Sequence, residues 1–265
     1  MSVKTIIKTV VRLSCVCVFL SACNKPSPDT LVVGTISGPE TALMDVAQQV
    51  AQKTHGLHLK IIEFNDYLLP NIALQDGTLD ANVYQHEPYL TAATQAHDYH
   101  FKVIGKTFVY PTGLYSTKYN KMTELPEHAV IALPNDPSNE GRALVLLQDA
   151  GLITLNDNKT NTLHDIATNP KKIHFEELDA AQLPRILMDV DAAVINTNFA
   201  IPAGLQLSED ALFVENKNSP YANLIVTRQD ASKQTQLNWL VEALHSAEVK
   251  AKAQELFGEA AIPAW

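Results

Sequence analysis

Three clusters of side chains in this 265-residue chain have the types and spacing to hold a small molecule by its charged ends. The first is Pro134-Asn135-Asp136-Pro137-Ser138-Asn139-Glu140-Gly141-Arg142, which runs into the apolar stretch 143–147. Asp136 suits the N-cap of a helix, and Pro137 suits its first position, where a missing N–H leaves nothing unpaired. The start of such a helix presents free amides and the positive end of the dipole, a favourable place for a carboxylate. Arg142 lies within two turns of that terminus. Its planar guanidinium can grip a carboxylate with two parallel bonds, which lysine cannot do. Taken alone, a surface arginine beside an ordinary capped helix is the simpler account of these residues.

The second cluster pairs Phe64-Asn65-Asp66-Tyr67 with Tyr84-Gln85-His86-Glu87-Pro88-Tyr89. Aromatic walls with a few polar heads are the usual lining of a small-molecule pocket, and aromatic faces suit an apolar or thioether side chain. Core aromatics plus a capping histidine explain the same residues about as well. The third joins Asn196-Thr197-Asn198 to Tyr221-Ala222-Asn223. Asparagine donates and accepts, so it can hold an ammonium and a carboxylate together, but it is also common in turns for backbone reasons.

These clusters need elements to place them. Short β-type runs at 31–36, 58–63, 80–84, 129–133, 173–178 and 192–196 alternate with helical stretches at 41–53, 67–75, 88–96, 137–150 and 180–188. Such alternation predicts an α/β fold with mostly parallel sheets. In open sheets of that kind ligands bind beyond the carboxyl ends of the strands, where all three clusters fall. Two extended segments, 101–117 and 219–228, are longer than their neighbours and divide the chain into two α/β units. They predict a two-lobed fold with two crossover hinges; a single doubly wound domain is the alternative. The expected division is 31–110 plus 225–265 for the first lobe and 111–224 for the second. The tail, 231–257, reads as helical, with Trp239, Leu240, Leu244, Val249 and Leu256 on its buried side.

The N-terminus sets the compartment. Lys4, Lys8 and Arg12 precede a short apolar run, 13–22, too short to span a bilayer comfortably, which is the anatomy of a signal peptide over 1–22. It ends in Leu20-Ser21-Ala22-Cys23, which resembles the lipobox of bacterial lipoproteins and implies lipidation of Cys23, with 23–30 as a tether. Residues 24–30 extended reach roughly 20–25 Å. The expected location is the cell envelope, anchored to a bacterial membrane and facing the periplasm or exterior. Processing removes Cys15 and Cys17 and consumes Cys23, the only three cysteines, so thiol catalysis, thiolate metal sites and disulfides are excluded. Without Lys4, Lys8 and Arg12 the chain keeps 17 basic against 29 acidic residues, a poor match for nucleic acid.

Four motifs in order, Phe64-Asn65-Asp66-Tyr67, Gln85-His86-x-Pro88-Tyr89-Leu90, Pro134 to Arg142, and Ser219-Pro220-Tyr221-x-Asn223-Leu224-Ile225-Val226, resemble the MetQ/NlpA family, the substrate-binding lipoproteins of methionine ABC importers. The likeness runs from Val32 to Trp265 and includes Thr107-Phe108-Val109-Tyr110-Pro111. It implies a protein of two-lobed, periplasmic-binding-protein-like fold that closes on one L-amino acid, methionine before others, and hands it to an ABC permease with its ATPase, without cofactor or bond chemistry; a monomer is expected. Carried over by position, Arg142 pairs with the ligand carboxylate, and Asn139, Asn196 and Asn223 hold the head group. Tyr67, Tyr84, His86 and Tyr89 line the side-chain pocket. Two departures matter. Tyr84 stands where the family often has phenylalanine, and a buried hydroxyl donor favours a more polar ligand. Glu140 sits beside the expected anion site and modulates affinity if it faces inward.

Three rival readings compete with solute binding. For an enzyme, no G-x-S-x-G elbow, H-E-x-x-H or Gly-rich phosphate loop occurs. For a metal protein, His55 with His58 and His97 with His100 have suitable spacing but no evident third ligand. An adhesin or surface antigen is compatible with the same sequence.

Overall fold

The computed structural model describes residues 30–157, 161–216 and 219–265, so the segment 1–22, Cys23 and the tether up to residue 29 lie outside the described residues. The first lobe begins with β1 (Thr30–Ile36), α1 (Pro39–His55), β2 (His58–Phe64), α2 (Leu69–Gln75), β3 (Ala81–His86), α3 (Glu87–His97) and β4 (Phe101–Val109). The second holds β5 (Gly113–Tyr115), β6 (Val130–Pro134), α4 (Pro137–Asp149), the ribbon β7 (Thr154–Leu155) with β8 (Ile166–Thr168), β9 (His174–Leu178), α5 (Leu183–Ile186), β10 (Ala192–Ile195), α6 (Thr197–Ala200) and β11 (Ala211–Val214). The chain then returns to the first lobe with β12 (Ala222–Arg228), α7 (Gln234–Leu244), α8 (Ala247–Phe257) and β13 (Ile262–Pro263).

Each lobe is built on its own sheet. The first has the order β13-β4-β12-β3-β1-β2 and the second β11-β5-β10-β6-β9. The βαβ units give parallel pairs, β1 with β2 and β3, and β6 with β9 and β10. The crossover strands run antiparallel, β12 against both β3 and β4, and β5 against both β10 and β11. The expected run 101–117 is therefore two strands in two sheets, broken at 110–112. Ala222 pairs with Val109, so the two crossovers lie side by side. The expected boundary at 224/225 falls inside β12, because Ala222 and Asn223 already pair with Val109 and His86 of the first sheet.

Burial follows the apolar spacing. In α1, Leu43, Met44, Ala47 and Ala51 face the sheet, and Gly56 ends the helix at φ 68°, where its N–H meets the carbonyls of Ala51 and Gln52. All six residues of β3 are buried, as a central strand covered on both faces requires. The helical tail is two helices rather than one. Ser246 Oγ accepts from Val249 N at 3.3 Å and starts α8 afresh. Leu240, Leu244 and Val249 are buried there, while Trp239 and Leu256 pack at the margin. The expected helix 180–188 is a 3-10 turn, Ala180–Gln182, followed by one α turn. Leu114, Ile131, Leu133, Leu144, Leu147 and Val194 form the second lobe's core. Each such side chain contributes roughly 1.5–3 kcal/mol by leaving water. Among the described residues, no helix is long and apolar enough to cross a membrane.

Candidate ligand-binding site

The carboxyl ends of β1, β2 and β3 face those of β6 and β10 across a cavity lined by aromatic and polar side chains. Tyr67, Tyr84, His86 and Tyr89 line it from the first lobe, Asn139, Arg142 and Asn196 from the second, and Asn223 from the second crossover. All eight residues singled out in the sequence meet there. Gln85, Tyr110, Thr197 and Asn198 complete the wall.

The aromatic side is held by one backbone carbonyl. Tyr84 OH and Tyr89 OH both donate to Tyr67 O, at 2.9 and 2.8 Å. The three rings lie 5.9–6.0 Å apart, centroid to centroid. The Tyr84 hydroxyl is thus satisfied within the protein and is not a free donor in the cavity, which removes the reason to expect a more polar ligand. Tyr67 itself is fixed by Asp66, whose Oδ1 accepts from the N–H groups of Leu68 and Leu69. Behind this wall Asn71, Asn82 and Gln85, all buried, satisfy one another through four side-chain bonds of 2.7–2.9 Å. Such a closed polar network keeps β3 and the Tyr67 loop in one arrangement.

The lobes are in contact across the cavity. Tyr67 OH donates to Asn198 Oδ1 at 2.7 Å, and its ring lies 5.0 Å from that of Phe199. His86 Nε2 faces Asn139 Oδ1 at 3.4 Å. On its other side His86 caps α3, Nδ1 accepting from Tyr89 N at 3.3 Å. That pattern assigns the ring proton to Nε2. Burial first, and Arg142 second, lower the His86 pKa to about 3, so the ring is neutral. Gly38, at φ 117° before α1, lets the first lobe approach Pro202 of the second; an added Cβ would lie 3.1 Å from its ring.

At the polar end the structure departs from the sequence reading in three ways. Asp136 caps α4 as expected, with Asn139 N donating to Oδ1 at 3.0 Å, and Asn139 Nδ2 also donates to both its oxygens. The helix terminus is therefore occupied by its own carboxylate and is not the open anion site anticipated. Glu140 does not line the cavity. Its Oε1 accepts from Leu163 N at 3.0 Å, which orders the loop before β8. The two-pronged grip of Arg142 is directed at Glu215, which sequence reading missed. Nε donates to Glu215 Oε1 at 2.9 Å, and Nη2 donates both to Oε2 and to Tyr110 O, the latter at 2.8 Å. The ring of Tyr221 lies 4.3 Å from the guanidinium carbon. Arg142 thus ties the second lobe to both crossovers, and among the described residues Nη1 has no partner.

A second unfilled group lies in the same wall. Asn196 Nδ2 donates to Asn139 Oδ1 at 2.9 Å, but Asn196 Oδ1 is buried and, among the described residues, without a partner. A buried acceptor left unpaired costs about 1–3 kcal/mol, so such an atom marks where a donor belongs. One end of the cavity therefore carries a cationic donor next to an acceptor, and the other end carries apolar faces. One histidine of each pair in the metal reading is engaged elsewhere, His55 stacked on Trp239 and paired with Glu242, and His97 stacked on Tyr99, and the described residues hold no cluster of three or more histidine, cysteine or acidic side chains able to hold a metal ion.

The sequence model of the NlpA lipoprotein family matches residues 31–265. This chain belongs to the NlpA lipoprotein family. Among its relatives, the D-methionine-binding lipoprotein MetQ of Salmonella typhi is 44% identical over 246 residues, 91% of each chain. A periplasmic substrate-binding protein of an ABC transporter from Coxiella burnetii has the same fold, with TM-score 0.86, 56% identity, and 88% of this chain and all of the other covered. A nutrient-binding protein of Burkholderia cenocepacia, solved bound to methionine, superposes with TM-score 0.86 at 47% identity over 89% of this chain and all of the other. This chain thus has the two-lobed fold of these binding proteins.

Proposed function

We propose that this protein is the substrate-binding lipoprotein of an ABC importer and that its ligand is an amino acid, L-methionine before others. One observation carries the reading: Arg142 and Asn196, whose Oδ1 is buried without a partner among the described residues, line from the second lobe the cavity that the rings of Tyr67, Tyr84 and Tyr89 line from the first. A free carboxylate at Nη1, an ammonium at Asn196 and Asn223, and a thioether against the rings satisfy every one of these groups. Sulfur–aromatic contacts of this kind contribute about 0.3–1.5 kcal/mol each. The fold and the methionine-bound relative support the same assignment. Capture makes and breaks no bond. The lobes close through the two crossovers, and the closed form is what a permease and its ATPase recognise. The protein acts as a monomer anchored through lipid on Cys23 at a bacterial membrane.

The test is native mass spectrometry of the protein as purified, then unfolding, refolding and calorimetric titration with the twenty L-amino acids and D-methionine. The expected outcome is one methionine carried through purification and tight rebinding of methionine alone among the amino acids. No heat with any amino acid would refute the assignment.

A further inference from the structure

Glu40 is an acid placed behind Asn223 of the head-group wall, and nothing in the capture scheme above uses it. It lies in the first turn of α1, 5% exposed, packed among Leu43, Met44, Val83 and Phe108. Its Oε1 accepts from Asn223 Nδ2 at 2.8 Å, and its Oε2 is buried without a partner among the described residues. That bond fixes which way Asn223 points. With Nδ2 committed to Glu40, Asn223 Oδ1, which has no partner among the described residues, remains for the ligand cavity that Asn223 lines.

We infer that Glu40 is a positioning residue of the head-group site and that it gives up a proton when an ammonium-bearing ligand is taken up beside Asn223. The inference rests on the amino-acid reading of the cavity. The physics is that of one buried group and one arriving charge. Burial raises the Glu40 pKa to about 8, with the Asn223 bond opposing. The ionisable groups that face it are Tyr67, from the loop after β2, and Tyr110, at the first crossover, both kept neutral by burial. Neither offers a compensating cation. An ammonium held by Asn223 Oδ1 does, one side chain away, and an opposite charge at that range favours the ionised carboxyl. The carboxylate then accepts more strongly from Nδ2, which sharpens the orientation of the amide that holds the ammonium. The proton passes to solvent buffer as the ligand binds, and the ammonium takes its place as the positive charge nearest the Glu40 carboxylate.

The experiment is isothermal titration of the full chain with methionine at pH 7 in buffers of differing ionisation enthalpy, then across pH 6–8. Wild type is expected to release about 0.9 proton per ligand at pH 7, with affinity falling about tenfold from pH 7 to pH 6. In Glu40→Gln, which keeps an acceptor for Asn223, proton release disappears and the pH dependence flattens. Binding heat without proton exchange in wild type overturns the inference alone, and this requires no variant to fold. Proton release that persists in Glu40→Gln also overturns it, and assigns the proton to another acid such as Asp136, which burial also raises. No heat with either methionine enantiomer overturns the functional reading and this inference with it.

Discussion

Replacing Arg142 by methionine separates what the residue does for the fold from what it does for a ligand. Its side chain is 5% exposed and that of Glu215 is 11% exposed, so the pair is out of water. Among the described residues, deleting the cation leaves the Glu215 carboxylate with Thr112 N, at 3.0 Å, and Ser219 Oγ, at 3.1 Å. A buried charge stripped of its partner costs about 3–5 kcal/mol, whereas replacing both members of such a pair by neutral groups is close to neutral. For a chain of this size that loss lowers Tm by roughly 6–20 °C. Arg142→Met should show this drop by calorimetry, and the double variant Arg142→Met with Glu215→Gln should recover most of it. Ligand binding should not recover. The bond from Nη1 to a carboxylate is a charged hydrogen bond worth about 1.5–3 kcal/mol, so methionine affinity falls roughly 10- to 150-fold in both the single and the double variant. A double variant that binds as wild type would show that Arg142 only braces the crossovers, and the ligand reading of its free nitrogen would be wrong.

Three further outcomes follow from the same geometry. Tyr84→Phe removes a donor from Tyr67 O, which keeps Tyr89; the expected change is a loss of about 0.5–1.5 kcal/mol in stability with the ranking of ligands unaltered, read by calorimetry and titration. Asn196→Ala removes the orphaned acceptor and should lower methionine affinity roughly tenfold or more while leaving Tm nearly unchanged; equal affinity would take Asn196 out of the site. His86 is held neutral with its pKa depressed to about 3 against 6.5 in the unfolded chain. Between those values the unfolded state binds more protons, so this group's contribution to stability is greatest above pH 6.5 and falls as pH drops toward 3, by at most about 1.4 kcal/mol per unit. His86→Gln should flatten that part of a urea-denaturation pH profile, and an unchanged profile would place the proton uptake elsewhere.

The alternation of strands and helices and the two long extended runs were legible in the residues themselves, whereas the eight residues that line the cavity were picked out through the likeness of four motifs to the MetQ/NlpA family. The elements are legible because they depend on local rules. Apolar spacing sets which face is buried, Asp136-Pro137 sets where α4 begins, and a residue just after a strand must lie at the sheet's rim. Two local signals were available and passed over: Ser246 as the cap that divides the tail, and Pro184 at the start of the short turn α5. Tertiary structure alone decided the pairings between residues far apart in the chain. Arg142 is 73 positions from Glu215, and Asn223 is 183 from Glu40. No periodicity or cap links such positions, and burial makes each of them seek its nearest partner in space. The same holds for Tyr84, whose hydroxyl suggested a polar ligand until the fold brought it to Tyr67 O. It holds for the helix terminus, which looked open to an anion until Asp136 and Asn139 closed it. Residue types announce what a site can bind; which of their atoms are left over for a ligand is settled only when the rest have found partners across the fold.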